Sequence, residues 1–148
     1  MEQTQMYILI YTSKFSGLSQ QVGPILEIIE QQARPYNLTH NLTSLLFYQG
    51  QSFIQLIEGE QLAIKRLYRK LEADERHRDL QIIDYRPITK RHFSNVPMKV
   101  FNLSGGDNRL ELPFEEFSLQ NLLNCQIDSR EFLSQLKQVE LRAYTNSL

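Results

Sequence analysis

Leu42-Thr43-Ser44-Leu45-Leu46-Phe47-Tyr48-Gln49-Gly50-Gln51-Ser52-Phe53-Ile54-Gln55-Leu56-Ile57-Glu58-Gly59 holds two apolar runs around a short connection that contains a glycine. The pattern predicts a β-hairpin, with strands from Leu42 to Tyr48 and from Ser52 to Glu58 joined through Gln49-Gly50-Gln51. Side chains alternate along a strand, so Phe53, Gln55 and Ile57 face one way and Ile54, Leu56 and Glu58 the other. One face therefore includes a glutamine among large apolar neighbours. Burying an amide is costly unless it is hydrogen-bonded, so Gln55 calls for a partner, or else for an edge open to solvent.

Upstream of the hairpin, Tyr7 to Thr12 is a short β-branched and aromatic run closed by Ser13 to Gly17, which predicts a central buried strand. Val22, Ile25 or Leu26, Ile29 and Ala33 then recur at spacings of three and four. They predict a helix from about Ser19 to Ala33, with Ser19 as N-cap, Pro24 near the first turn and Pro35 as its stop. Asn37 falls just beyond that stop. Downstream, Leu62 or Ala63, Ile64, Leu67, Tyr68 and Leu71 form the stripe of a second helix, from Gln61 to Leu71. A polar corner, Asp74 to Asp79, leads to a strand from Leu80 to Tyr85 that Pro87 allows to end. A short fifth strand is expected around Met98 to Leu103. The order β-α-β-β-α-β, with the fifth strand appended, predicts an α+β, ferredoxin-like sheet with two helices on one face. Ser104-Gly105-Gly106-Asp107-Asn108 is a loop-rich break. A C-terminal helical pair is expected after it, the first helix around Phe117, Leu122 and Leu123, the second around Phe132, Leu133, Leu136 and Val139. The expected organisation is a core domain over residues 1–103 and a helical extension over 104–148, whose apolar face must pack on the sheet or on another subunit.

Sixteen basic residues against seventeen acidic ones give a net charge of −1, which offers the whole molecule no reason to seek nucleic acid or an anionic membrane. The charge is unevenly spread: residues 65–99 carry ten basic and five acidic groups, and both flanking stretches are acidic. An anionic ligand would be met in that middle third, although a solvated helix face would give the same count. No apolar run approaches the roughly 20 residues of a bilayer span, and Met1-Glu2-Gln3-Thr4-Gln5 lacks a basic secretory region, so the expected location is cytoplasmic. The single cysteine, Cys125, excludes an internal disulfide and a multi-cysteine metal centre, and among Leu122, Leu123 and Ile127 it reads as a buried, inert thiol. His40, His77 and His92 lack ligand spacing, and no metal site is expected. No phosphate loop, serine elbow or zinc helix is present, so no enzyme is expected. What remains is a polar set on apolar strands, namely Tyr11, Gln55, Asn37 and Met98. A phenol, two amides and a thioether supply no acid or nucleophile near neutral pH, since an unperturbed tyrosine titrates near pH 10. They can bind and polarise a flat heterocycle with alternating donors and acceptors.

Leu9-Ile10-Tyr11-Thr12-Ser13, Asn37, Leu42 to Tyr48, Phe53 to Glu60, Asp74-Glu75-Arg76-His77, and Arg91-His92-Phe93 with Met98 occur in the order and at the intervals of one family. From about residue 6 to residue 103 the chain resembles the BLUF domains, sensors of blue light using FAD. The resemblance implies a photoswitch formed by Tyr11, Gln55 and Met98. It implies a flavin-binding set of Asn37 at the pyrimidine end, Gln55 beside the ring, and Asp74, Arg76 and His77 near the ring or the phosphate-bearing tail, with Lys70 as a further phosphate contact. The cofactor implied is FAD, with FMN and riboflavin as alternatives. Tyr11 would pass an electron and a proton through Gln55, leaving the Gln55 amide rotated or tautomerised and the flavin absorption red-shifted. Met98 and its strand would then relay the change to the C-terminal helices. A separate downstream protein or a homo-oligomer is the implied partner, with no direct nucleic-acid or membrane contact.

Four features depart from the usual family pattern. Val96 and Pro97 stand where a tryptophan and a small residue are common, Tyr36 replaces a second asparagine, His40-Asn41 replaces Asn-Gly, and Ser44 replaces a glycine. Apart from the resemblance, Asp74 with Arg76 reads as a local ion pair or cap, His77 as a surface residue and Tyr11 as a satisfied core tyrosine. The alternative function is a flavin-free ferredoxin-like interaction module that has lost light sensing. An acylphosphatase-like hydrolase would require a phosphate-cradling loop after the first strand, and that loop is missing.

Overall fold

The computed structural model describes residues 5–93 and 96–103. The expected C-terminal helical pair, Cys125 and the break after Leu103 lie outside the described residues. Five strands, β1 (Met6–Phe15), β2 (Thr43–Gln49), β3 (Ser52–Glu60), β4 (His77–Ile88) and β5 (Lys99–Asn102), form one sheet in the order β4-β1-β3-β2-β5. The first four strands run antiparallel to their neighbours, and β5 adds to the free edge of β2 in parallel. Two helices, α1 (Val22–Thr39) and α2 (Gln61–Glu72), complete the α+β architecture.

The hairpin forms at the predicted place. Gly50 and Gln51 both adopt positive φ (55° and 70°), the pair of left-handed residues that a two-residue turn needs to match the twist of its strands. The Tyr48 hydroxyl donates to Gln51 Oε1, which helps to hold that conformation in a residue other than glycine. From this turn the register follows, with Leu46 opposite Gln55 on β2 and Tyr11 opposite Gln55 on β1. One sheet face therefore presents Leu9, Tyr11, Leu46, Tyr48, Phe53, Gln55 and Ile57. Val22 and Leu26 of α1 pack against Leu46, Tyr48 and Phe53, while Ile64 and Leu67 of α2 pack against Leu9, Tyr11 and Ile57. The opposite face carries Ile8, Ile10, Leu45, Phe47, Ile54 and Leu56 and receives Phe93, Val96, Phe101 and Leu103.

Several boundaries differ from the sequence expectation. Ser19 lies in a short 3₁₀ turn, Ser19–Gln21, and makes no capping bond; Gln21 is the N-cap of α1. Pro35 does not stop α1, which continues to Thr39 and absorbs the missing donor, and this places Asn37 inside the helix, not beyond it. Asn41, at φ 55°, supplies the left-handed residue just after the helix. Strand β4 begins at His77 and runs through Pro87, which is tolerated because β4 lies at the sheet edge. Two register shifts between β1 and β4 mark bulges, one of them around Asp79, which has φ 57°.

Candidate functional site

The central pair is set by the β1–β3 register. Tyr11 donates its hydroxyl hydrogen to Gln55 Oε1, and both residues are buried. The other end of the amide is also engaged, with Gln55 Nε2 donating to Ser44 Oγ at 2.8 Å. The glutamine on an apolar face thus has the partners its burial requires. Burial pushes the Tyr11 phenol well above the usual tyrosine range, and the nearby Tyr68 and Asp74 add to the shift. It remains a donor wherever the protein is folded. Because the folded phenol binds its proton more tightly than the unfolded one, its contribution to stability is intact below about pH 10 and is lost as pH rises above it. Unfolding midpoints measured from pH 9 to 11 should therefore fall more steeply for the wild type than for Tyr11→Phe.

Other elements close around this pair. Asn37 comes from the last turns of α1. Its Nδ2 donates to Pro97 O at 2.7 Å, and its Oδ1 is buried without a partner in the protein. Met98, 2% exposed, packs with Phe53 and Leu46, and its carbonyl accepts from Arg34 Nε at 3.3 Å. His77, at the head of β4, is held at both nitrogens. Leu71 O, 2.5 Å away, can only accept, so Nε2 carries a proton, while Nδ1 pairs with Ser13 Oγ at 2.8 Å. The His77 ring stands edge-on to Tyr11 at 6.2 Å between centroids, a half-buried position distinct from the surface reading. Asp74 and Arg76 form a multidentate pair with contacts of 2.5–3.1 Å, and Arg76 also donates to Gln32 Oε1. Hydrogen bonding from Arg76 holds the Asp74 carboxyl below the usual range, and Asp74 in turn raises Arg76. Lys70 Nζ sits 4.0 Å from the centre of the Tyr36 ring.

A cavity of about 210 Å³ opens between the two helices and the sheet, and its lining brings together all eight residues singled out in the sequence: Tyr11, Asn37, Gln55, Lys70, Asp74, Arg76, His77 and Met98. Ile29, Ala33, Leu46 and Leu67 give it apolar walls. Apolar walls, an orphaned amide oxygen, a hydrogen-bonded phenol–amide pair and nearby cations fit a flat heteroaromatic ring with an anionic tail. Sequence reasoning missed three supporting side chains: Ser13 behind His77, Gln32 behind Arg76, and Ser44 behind Gln55. Ser44 could have been found from the hairpin register, since it lies two positions along from Leu46, the partner of Gln55. Among the described residues no group of His, Cys, Asp and Glu could hold a metal ion, and no helix is long and apolar enough to cross a membrane.

The fold and this lining define an α+β domain with a partly apolar cavity walled by hydrogen-bonding and charged side chains. Residues 6–99 match the family model of BLUF, sensors of blue-light using FAD, and the chain belongs to the BLUF family. Its domain over residues 6–99 is thus of a family of blue-light sensors that use FAD. Among curated proteins it is similar to the blue light- and temperature-regulated antirepressor BluF of Escherichia coli (strain K12), at 27% identity over 57% of this chain and 24% of that protein. It is also similar to the photoactivated adenylate cyclase subunit alpha of Euglena gracilis, at 33% identity over 47% of this chain and 7% of that one. The chain thus spans less than a quarter of the length of either. Among solved structures, the dark-state structure of the BLUF protein BlrB matches with a TM-score of 0.68 at 28% identity, covering 95% of this chain and 98% of that one. A bacterial light-regulated adenylyl cyclase matches with a TM-score of 0.69 at 30% identity, covering 88% of this chain and 36% of that one.

Proposed function

We propose that the Tyr11–Gln55 pair is a light-driven hydrogen-bond switch and that the cavity it lines holds the ring of FAD. The observation that carries this reading is the buried Tyr11–Gln55 hydrogen bond at the wall of a cavity with an unpartnered acceptor, Asn37 Oδ1. When bound, the flavin supplies absorption of blue light and the acceptor for an electron. Tyr11 would give up an electron, its hydroxyl proton passing by way of Gln55, and would recover both before the cycle ends, so that no net oxidation of the protein remains. Gln55, whose two ends are nearly isosteric and opposite in hydrogen-bonding sense, records the event by exchanging them. Asn37 Oδ1 would accept from the ring's imide hydrogen while its Nδ2 keeps Pro97 in place. Lys70, Arg76 and His77 would face the tail, with Asp74 orienting Arg76.

Met98 is the proposed exit, since its side chain lines the same cavity as Gln55 and it directly precedes β5. The relay ends in a change of oligomeric state or in contact with a separate cytoplasmic protein, by way of residues 104–148. The role is photochemical, not enzymatic.

Reconstitution with FAD tests the proposal. Uptake of flavin and a reversible red shift under blue light are the expected results; no uptake, or a spectrum indifferent to blue light, refutes it. Asn37→Ala removes the acceptor and should weaken FAD binding about ten-fold in an equilibrium titration, the effect of one buried hydrogen bond. An unchanged Kd would remove Asn37 from the binding set.

A further inference from the structure

Gln55 is held at both ends, and the partner at its nitrogen is not part of the photoswitch described above. Ser44 is fully buried on β2, on the same sheet face as Gln55, and its Oγ accepts from Gln55 Nε2 at 2.8 Å. Its backbone is fixed on two sides, by pairing with Ile57 in β3 and by donation of its N–H to Val96 O at 3.0 Å. The hydroxyl is therefore fixed in place while its hydrogen stays free to rotate. We infer that Ser44 is a positioning residue of the switch, whose hydroxyl bonds the Gln55 amide in either of its two senses and so sets how long each sense lasts.

The chemistry follows from the donor and acceptor inventory. A phenol and an aliphatic hydroxyl can each donate or accept. With Oε1 toward Tyr11, the phenol donates and Ser44 accepts, as the structure shows. With the amide exchanged end for end, Nε2 donates to the phenol oxygen and Ser44 turns to donate to Oε1. Each sense keeps a hydrogen bond at both ends of the amide, whereas an amide midway between them has lost the Ser44 bond. The hydroxyl thus stabilises both end states relative to the passage between them. At position 44 an alanine or a glycine would leave one amide end bare in each sense and lower the barrier to exchange.

This inference rests on the light-switch reading, so its test has one arm that needs no flavin. In the flavin-free full chain, the Gln55 side-chain amide signal in a ¹H–¹⁵N spectrum is identified by its loss in Gln55→Leu. Ser44→Ala should move that signal upfield and speed its exchange with solvent; an unmoved signal overturns the inference. In the FAD-loaded chain, Ser44→Ala and Ser44→Gly should both keep the red shift and recover in the dark about five-fold faster than wild type, the effect of one hydrogen bond lost from the starting state only. Unchanged or slower recovery overturns the inference. So does a change in Gly without one in Ala, because that pattern would report backbone freedom and not the hydroxyl. A wild type without any red shift would sink the light-switch reading itself, while the flavin-free spectrum would still decide the Gln55–Ser44 bond.

Discussion

Gln55→Leu should give a chain that takes up FAD and shows the same absorption spectrum in the dark and under blue light. Leucine fills nearly the same volume and keeps the apolar contacts of this sheet face, so the cavity retains its shape. It cannot accept from Tyr11 or donate to Ser44, and the hydrogen-bond chain Tyr11–Gln55–Ser44 is cut at its centre. The Tyr11 hydroxyl is then buried without an acceptor, at a cost of about 1–3 kcal/mol in unfolding free energy. A light-minus-dark difference spectrum and a flavin titration on the same sample separate the two effects. A red shift that survives in Gln55→Leu would show that the glutamine is not the switch.

The second large effect is expected on the other side of the sheet. Glu58 is fully buried, and its carboxyl oxygens accept from the backbone N–H groups of His92 (2.9 Å) and Phe93 (3.3 Å) and pair with His92 Nδ1 at 2.6 Å. Arg91 adds bonds from its guanidinium to Glu58 O, Thr43 Oγ1 and Asn41 O. Together these contacts dock the chain leaving β4 and seat Phe93 in the core. Glu58→Ala strands one buried and one half-buried N–H group and opens a cavity, so unfolding free energy should fall by about 3–5 kcal/mol, read as a lower urea midpoint at unchanged slope. Gln55 points to the opposite face, so the FAD-loaded variant should keep its red shift at temperatures where it remains folded. A loss below about 1 kcal/mol would mean that Phe93 docks without the carboxyl.

The hairpin explains why so much of the fold could be read from the sequence. Its turn glycine and alternating pattern set the pairing of β2 with β3, and the face assigned to Phe53, Gln55 and Ile57 is the face that meets both helices. Proline misled the reading twice, at Pro35 and at Pro87. A helix tolerates the loss of one internal hydrogen bond when tertiary packing holds both of its halves, and an edge strand loses no ladder bond to a proline. Tyr11, Gln55 and Asn37 stand out in the sequence as polar groups among apolar elements, and the family resemblance supplies their roles; on their own, a core tyrosine and a buried amide carry little signal. Asp74 and Arg76 form the ion pair that the sequence offered as a local alternative, and they line the cavity as well. The bonds from α1 to the segment around β5 were not legible. Glu30 to Val100 N–H, Arg34 to Met98 O and Asn37 to Pro97 O join residues far apart in the chain through backbone atoms, which leave no mark in residue type.

Tyr68 adds a contact that spacing alone did not assign. Its spacing places it in the α2 stripe, and it stands edge-on to Tyr11 at 5.6 Å between centroids, where burial and Glu72 raise its own phenol above the usual range. Three sides of Tyr11 are thus set by aromatic or amide neighbours, namely Tyr68, His77 and Gln55.

A light-driven switch at this site requires the hydrogen bonding of the Gln55 side chain to change on illumination. The most direct measurement is a light-minus-dark infrared difference spectrum of the FAD-loaded chain, with and without ¹³C,¹⁵N-labelled glutamine, compared with Gln55→Leu. A label-sensitive amide carbonyl band should move on illumination, return in the dark at the rate of the visible absorption, and be missing from Gln55→Leu. A wild-type difference spectrum with no label-sensitive band, or one that persists in Gln55→Leu, would contradict it.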